Sequence, residues 1–172
     1  MSKVILYIAT SQDGFIADKD GDVNWLSQPE DDSDLEVVGY KNLMQRIDTI
    51  IMGSNSYKQI LGFGNWACVD KKTYVFTSQN IQSEVAHVTN ETPFEFMAKL
   101  KEQQLKKDIW LLGGAKLAQS FAKYNLIDEI ILTTVPQILG DGIAIDLNLN
   151  DLKLMKEKSL RNCMIQQTYF RR

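Results

Sequence analysis

Residues that bind metal or staple small folds are scarce here. The 172 residues contain a single histidine, His87, and two cysteines, Cys68 and Cys163. A structural zinc site needs a closely spaced Cys/His set, so none is expected. Two cysteines without a repeated spacing read as reduced thiols and point to a cytoplasmic setting. There are only three prolines, and no Pro/Gly/Ser-rich linker, internal repeat or low-complexity tract, so residues 1–172 read as one domain. No apolar run approaches the ~20 residues that span a bilayer. The run Val4-Ile5-Leu6-Tyr7-Ile8-Ala9 is too short for a signal-peptide core and lacks a cleavage-like site. Basic charge is also not in excess: the formal net charge is −3 and the pI is near 5.2. That argues against nucleic acid as a partner, which needs a basic face, and scattered lysines leave no polybasic patch for a membrane.

What is present is an ordinary globular balance, 44% hydrophobic and 24% charged, in a chain long enough to bury a sizeable core. Short apolar runs alternate with helical patterns. Strands are expected at Val4–Ala9, Asp48–Met52, Thr73–Thr77, Val85–Thr89, Ile109–Leu112 and Glu129–Val135, the last ending near Pro136. The tail from Cys163 to Phe170 is β-rich and is expected to pair at a sheet edge. Helices are expected over Leu35–Arg46, after Gly53 through Ile60, from Pro93 to about Lys107, and after Gly114. Thr92-Pro93-Phe94-Glu95 carries the threonine, proline and glutamate of a helix start. Alternating strands and helices imply an α/β fold, its central sheet mostly parallel, with helices on both faces and an antiparallel C-terminal strand. Ligands of such sheets bind beyond the carboxyl ends of the strands.

Three of those ends share one chemistry. Met52 is followed by Gly53-Ser54-Asn55-Ser56, Phe76 by Thr77-Ser78-Gln79, and Leu112 by Gly113-Gly114-Ala115-Lys116. Two of the three open a helix, where unpaired N–H groups and the positive dipole end attract anions and glycine permits close approach. Lys116 is unfavourable in a first turn unless an anion lies nearby. Gly113-Gly114 therefore reads as a phosphate cradle or as a plain strand-to-helix turn. Three such ends suit a long ligand with several phosphates, such as a dinucleotide.

The order of these motifs resembles the dihydrofolate reductase superfamily, most closely the branch of the riboflavin-biosynthesis reductase domain. Ser11-Gln12-Asp13-Gly14-Phe15-Ile16-Ala17 is similar to that branch's serine-x-aspartate-glycine-x-isoleucine-alanine turn. Asn24-Trp25-Leu26 resembles the tryptophan loop of the reductases. Met52-Gly53-Ser54-Asn55-Ser56-Tyr57, Thr77-Ser78-Gln79, Leu112-Gly113-Gly114-Ala115-Lys116, Leu132-Thr133 and Gly140-Asp141 match later segments in order. The resemblance implies a three-layer fold and a reductase that takes hydride from NADPH. It places Gly53, Asn55, Ser56, Gly113 and Gly114 along the pyrophosphate, with Ala115 close by. Ser78 and Gln79, after Thr77, would lie at the 2′-phosphate, Lys116 near the adenosine end, and Ala9 and Ile16 beside the nicotinamide. Ser54 stands where the family has an arginine, which leaves NADH as the alternative donor. As catalytic residues it implies Thr133 and an acid, for which Asp34 in Asp34-Leu35-x-x-Val38 is the choice and Glu30 the rival. Acids between Glu30 and Glu36 also suit a helix N-terminus with no catalytic role. The expected substrate is a small heterocyclic or ribityl-type molecule; dihydrofolate, or nucleotide binding without catalysis, is the alternative. A homodimer would be in keeping with that branch.

Overall fold

The strand–helix alternation is present in the computed structural model, which describes residues 2–26, 37–64, 66, 68–103, 105–147 and 149–172. In chain order the elements are β1 (Val4–Ser11), β2 (Phe15–Ala17), α1 (Tyr40–Arg46), β3 (Ile47–Gly53), α2 (Ser54–Gly62), β4 (Lys72–Phe76) and β5 (His87–Thr89). Then follow α3 (Pro93–Glu102), β6 (Asp108–Gly113), α4 (Ala115–Lys123), β7 (Glu129–Val135), β8 (Ile143–Ala144), β9 (Leu152–Ser159), a 3-10 turn (Arg161–Cys163) and β10 (Ile165–Arg171). No helix among the described residues is long and apolar enough to cross a membrane.

Eight strands form one sheet in the order β5-β4-β3-β6-β1-β7-β10-β9, and β2 pairs with β8 apart from it. The six strands from β5 to β7 run parallel, and β10 is antiparallel to β7. Successive side chains of a strand point to opposite faces, and here both faces are apolar. Val4 and Leu6 of β1, Tyr74 of β4 and Leu111 of β6 pack on one side with Phe96, Met97 and Leu100 of α3 and Ala118 and Phe121 of α4. Ile5, Ile50, Met52, Val75 and Trp110 pack on the other with Leu43 of α1 and Tyr57 of α2. Unbroken apolar strands are what a sheet covered on both sides requires, and the result is three layers.

Several expectations need correction. The tail strand is not the edge: β10 lies between β7 and β9, and β9 is the edge. β9 escaped notice because Leu-Lys-Leu-Met-Lys-Glu-Lys-Ser is exposed on both faces beyond Leu152, so no apolar alternation marks it. Lysines along an open edge discourage further pairing. The third helix ends at Glu102 rather than near Lys107, where the N–H of Gln103 turns back to Leu100 O. Helix α1 starts at Tyr40 after Gly39, in left-handed backbone, rather than running through from Leu35; residues 27–36 are outside the described residues. The short β2–β8 pair had no counterpart in the sequence reading, three and two residues being too few to show a period.

Candidate active site at the carboxyl edge of the sheet

β1 and β6 are neighbours only at their beginnings, with partners Val4–Ile109, Ile5–Trp110 and Leu6–Leu111. Beyond that β1 continues beside β7 as far as Ser11–Val135. The segment Leu112–Gly114 therefore diverges from the segment Tyr7–Ser11. The helix after β6 packs on one face and α1, which follows β1, on the other. Opposed connections open a crevice at the strand ends.

Two helices begin beside this crevice. Gly53 is the N-cap of α2 and Gly114 that of α4; neither helix has a side-chain cap or an acid in its first turn. By contrast α3, which begins just after Glu91 beyond β5, is fully capped: the Thr92 hydroxyl accepts from Glu95 N and the Glu95 carboxylate accepts from Thr92 N. The same chain thus satisfies one N-terminus internally and leaves those of α1, α2 and α4 without a side-chain cap, the last two side by side. A Cβ at Gly53 would lie 3.8 Å from Gly113 O and 3.9 Å from Gly114 N, and one at Gly114 would lie 3.7 Å from Ser56 Oγ. Both glycines have extended backbone, φ −81° and −69°, which any residue adopts. Neither the backbone nor the packing calls for glycine there. Gly113 differs, with φ +116°, and its peptide bond to Gly114 is cis. Gly53, Ser54, Ser56, Gly113, Gly114 and Ala115 are thus gathered at one place, with Leu112 behind them and the exposed Asn55 and Lys116 on the first turns.

Further along the edge, Thr77, Ser78, Gln79 and Asn80 face Val88, Thr89, Asn90 and Glu91 across an open cleft of about 480 Å³. Thr77 Oγ1 accepts from Gln79 N (3.0 Å), and Lys58 of α2 donates to Gln79 Oε1 (3.0 Å). Lys58 and the β5 side of the cleft were missed by sequence reasoning. A lysine in mid-helix carries no signal of which strand end it reaches.

On the other side of the crevice, Ala9 is in register with Thr133, and Thr133 with Gln166 of β10. Gln166 Nε2 donates to Thr133 Oγ1 (3.0 Å) and to Val38 O (2.9 Å), and Tyr7 donates to the same carbonyl (2.9 Å). Burial, and next to it Tyr40, pushes the Tyr7 phenol well above its ordinary value, so it stays a proton donor. Gln166, buried like Thr133, was also unforeseen, because only pairing across β7 brings it here.

Asp13 and Gly14 form a turn that also ties two loops together. Asp13 accepts from the Ser11 hydroxyl (2.6 Å), from Leu139 N (3.2 Å) and from Gly140 N (2.8 Å). The Ser11 hydroxyl bond, followed by those from Gly140 and Leu139, holds its carboxyl below the ordinary 3.8. This clamp sets β2, with Ile16, beside β8. Gly142 fits there because a Cβ would collide with the Ala17 carbonyl and the Phe15 ring. Asp34 and its rival Glu30 lie outside the described residues. Trp25 is half-buried, and its indole N–H has no partner among the described residues. Trp110 is a core residue, edge-on to Tyr7 and Tyr40.

A mostly parallel three-layer sheet with open helix N-termini at its carboxyl edge defines an α/β protein of the dihydrofolate-reductase-like class, a fold associated with reductases. The chain belongs to the RibD C-terminal domain family, whose model matches residues 2–164. It is 39% identical over 156 residues to "Uncharacterized protein YwjB" of Bacillus subtilis, covering 88% of this chain and 87% of that one. A crystal structure of a Shewanella sp. PV-4 protein named for riboflavin biosynthesis superposes with a TM-score of 0.83 at 26% identity, covering 99% of both chains. Dihydrofolate reductase from Enterococcus faecalis, complexed with NADP(H) and RAB-propyl, has a TM-score of 0.73 at 17% identity, covering 98% of this chain and 96% of that one. At that identity the likeness speaks for the fold.

Proposed function

We propose that this protein is a reductase that binds a pyridine dinucleotide, NADPH in preference to NADH, along the carboxyl edge of its sheet. It reduces a C=N or C=O bond of a small heterocyclic or ribityl-type substrate. The observation that carries the proposal is the pair of uncapped helix N-termini meeting at two glycines whose Cβ positions the protein leaves empty. The residues fit the cofactor: Gly53, Ser54, Asn55, Ser56, Gly113, Gly114 and Ala115 would hold the diphosphate with backbone N–H groups and hydroxyls. Thr77, Ser78 and Gln79 would hold the adenosine end, and Ala9 and Ile16 would border the nicotinamide. When bound, the reduced nicotinamide supplies the hydride.

The chain's own residues orient the substrate and hold a proton. Gln166 donates to Thr133 Oγ1, so the Thr133 hydroxyl keeps its own proton for an acceptor on the substrate. Gln166 is a positioning residue in this scheme, because it acts through Thr133. Asp34 is assigned the proton that completes the reduction. The Asp13 clamp holds the β2 loop at the mouth and helps exclude water.

The test is a titration with NADPH and NADH, followed by the loss of nicotinamide absorbance against panels of pterins, pyrimidines and ribityl compounds. Tight NADPH binding with turnover on one class is expected. Binding with no turnover on any panel would make this a nucleotide-binding protein without catalysis, and no binding of either dinucleotide would reject the proposal.

A further inference from the structure

The sheet order decides which cation can reach the cleft between the ends of β4 and β5. Helix α2 leaves β3, the neighbour of β4, whereas α4 leaves β6, one strand further away. Lys58 lies one turn into α2, four residues after Ser54 and so on the same side of the helix. Its ammonium spans from α2 to Gln79 Oε1 at 3.0 Å, and Gln79 lines the cleft.

The state of the charges there is informative. The cleft's carboxylate, Glu91, is met by Lys99 and by the Thr89 hydroxyl. Lys58 is bonded to a neutral carboxamide, and among the described residues no carboxylate pairs with it. Among the described residues this cation thus rests on a neutral acceptor beside a cleft of hydroxyls and amides, with no carboxylate to neutralise it. The Gln79 amide aims the ammonium without neutralising it. Ser78 and Thr77, on the same side of the cleft as Gln79, add hydroxyls that can donate to phosphate oxygens.

We propose that Lys58, aimed by Gln79, is the residue that selects a 2′-phosphorylated dinucleotide over its unphosphorylated counterpart. This rests on the dinucleotide reading above and assigns the discrimination to a residue outside the glycine motifs. In this proposal Lys116, on the first turn of α4, which leaves the more distant β6, is assigned to the diphosphate instead of the adenosine end that the resemblance implies, and contributes to both cofactors alike.

The experiment measures dissociation constants for NADPH and NADH at low ionic strength with the wild type, Lys58→Ala, Gln79→Ala and Lys116→Ala. Lys58 is exposed, so its replacement should leave the melting temperature in place, and a parallel melt checks this. Loss of one charge-assisted phosphate contact predicts roughly tenfold to hundredfold weaker NADPH binding in Lys58→Ala. NADH binding should change by less than about threefold, within the spread of exposed-charge effects. Gln79→Ala should move the ratio in the same direction by less. Lys116→Ala should weaken both and leave the ratio alone. Equal losses for the two cofactors in Lys58→Ala, or a wild type that does not distinguish them, would overturn the assignment while leaving the dinucleotide site standing. A wild type that binds neither would remove the site and this inference with it.

Discussion

Replacing Gly53 by alanine separates what the fold needs from what a ligand needs. On the stability side the change should be nearly silent. The backbone at Gly53 has φ −81° and ψ 165°, open to any residue. The new methyl group would meet Gly113 O at 3.8 Å and Gly114 N at 3.9 Å, ordinary contact distances. Alanine is a poorer N-cap than glycine, which costs up to about 1 kcal/mol, and a less flexible unfolded chain returns about 0.4–1 kcal/mol. The net effect should stay within about 1 kcal/mol, or about 2–4 °C in melting temperature for a chain of this size. On the binding side the proposed diphosphate would approach the open N–H groups of α2 over this same position, and a methyl group there would hold it off. Losing one charge-assisted hydrogen bond of roughly 1.5–3 kcal/mol weakens binding about tenfold to hundredfold. A thermal melt and an NADPH titration on the same preparation read both sides. An unchanged dissociation constant beside an unchanged melting temperature would refute the reasoning, because the glycine would then serve neither fold nor ligand. A melting temperature lowered by more than about 10 °C, well beyond that small net cost, would show that packing demands the glycine after all.

Other outcomes follow from the same contacts. Thr92→Ala removes the capping box of α3 and should cost about 1 kcal/mol in chemical unfolding. Arg46 donates to both oxygens of Glu129, which is 2% exposed, and also to Asp108. Arg46→Ala should therefore cost about 3 kcal/mol, the low end for a broken buried pair because Arg46 itself is 30% exposed; a loss below about 1 kcal/mol would mean that water replaces the guanidinium. Asp13 has a carboxyl held below 3.8 by Ser11, Gly140 and Leu139, so the charged form is favoured in the folded state. Its contribution is fully present above that value and is lost as pH falls through the lower, folded one. The gap in melting temperature between wild type and Asp13→Asn should thus be widest at neutral pH and narrow once pH drops below 3.8; a gap that stays constant would show that the clamp does not depend on charge.

The local signals in the chain were enough for the strand–helix alternation and for the motifs at the strand ends. Val4–Ala9, Ile109–Leu112 and Glu129–Val135 are apolar enough to read as strands buried on both faces, and Thr92-Pro93-Phe94-Glu95 announces its own helix. Glycines, hydroxyls and prolines act through backbone chemistry within a few residues, so their meaning survives without neighbours. Sheet order, by contrast, depends on contacts between residues far apart in the chain. β6 inserts between β3 and β1, and only this brings Gly53 against Gly113. Gln166 meets Thr133 because β10 pairs beside β7, and nothing near Gln166 in the chain announces that pairing. Lys58 reaches Gln79 because α2 leaves the strand next to β4. β9 gave no sequence signal because an exposed edge strand is held by hydrogen bonds to its partner and not by an apolar face. Which segments become strands and helices, and which strand ends could face an anion, is written locally in the chain, since propensity, capping and turn chemistry act within a few residues. Which of those ends adjoin, and which side chains arrive between them, emerges on folding, since strand pairing and burial are settled by the whole sheet at once.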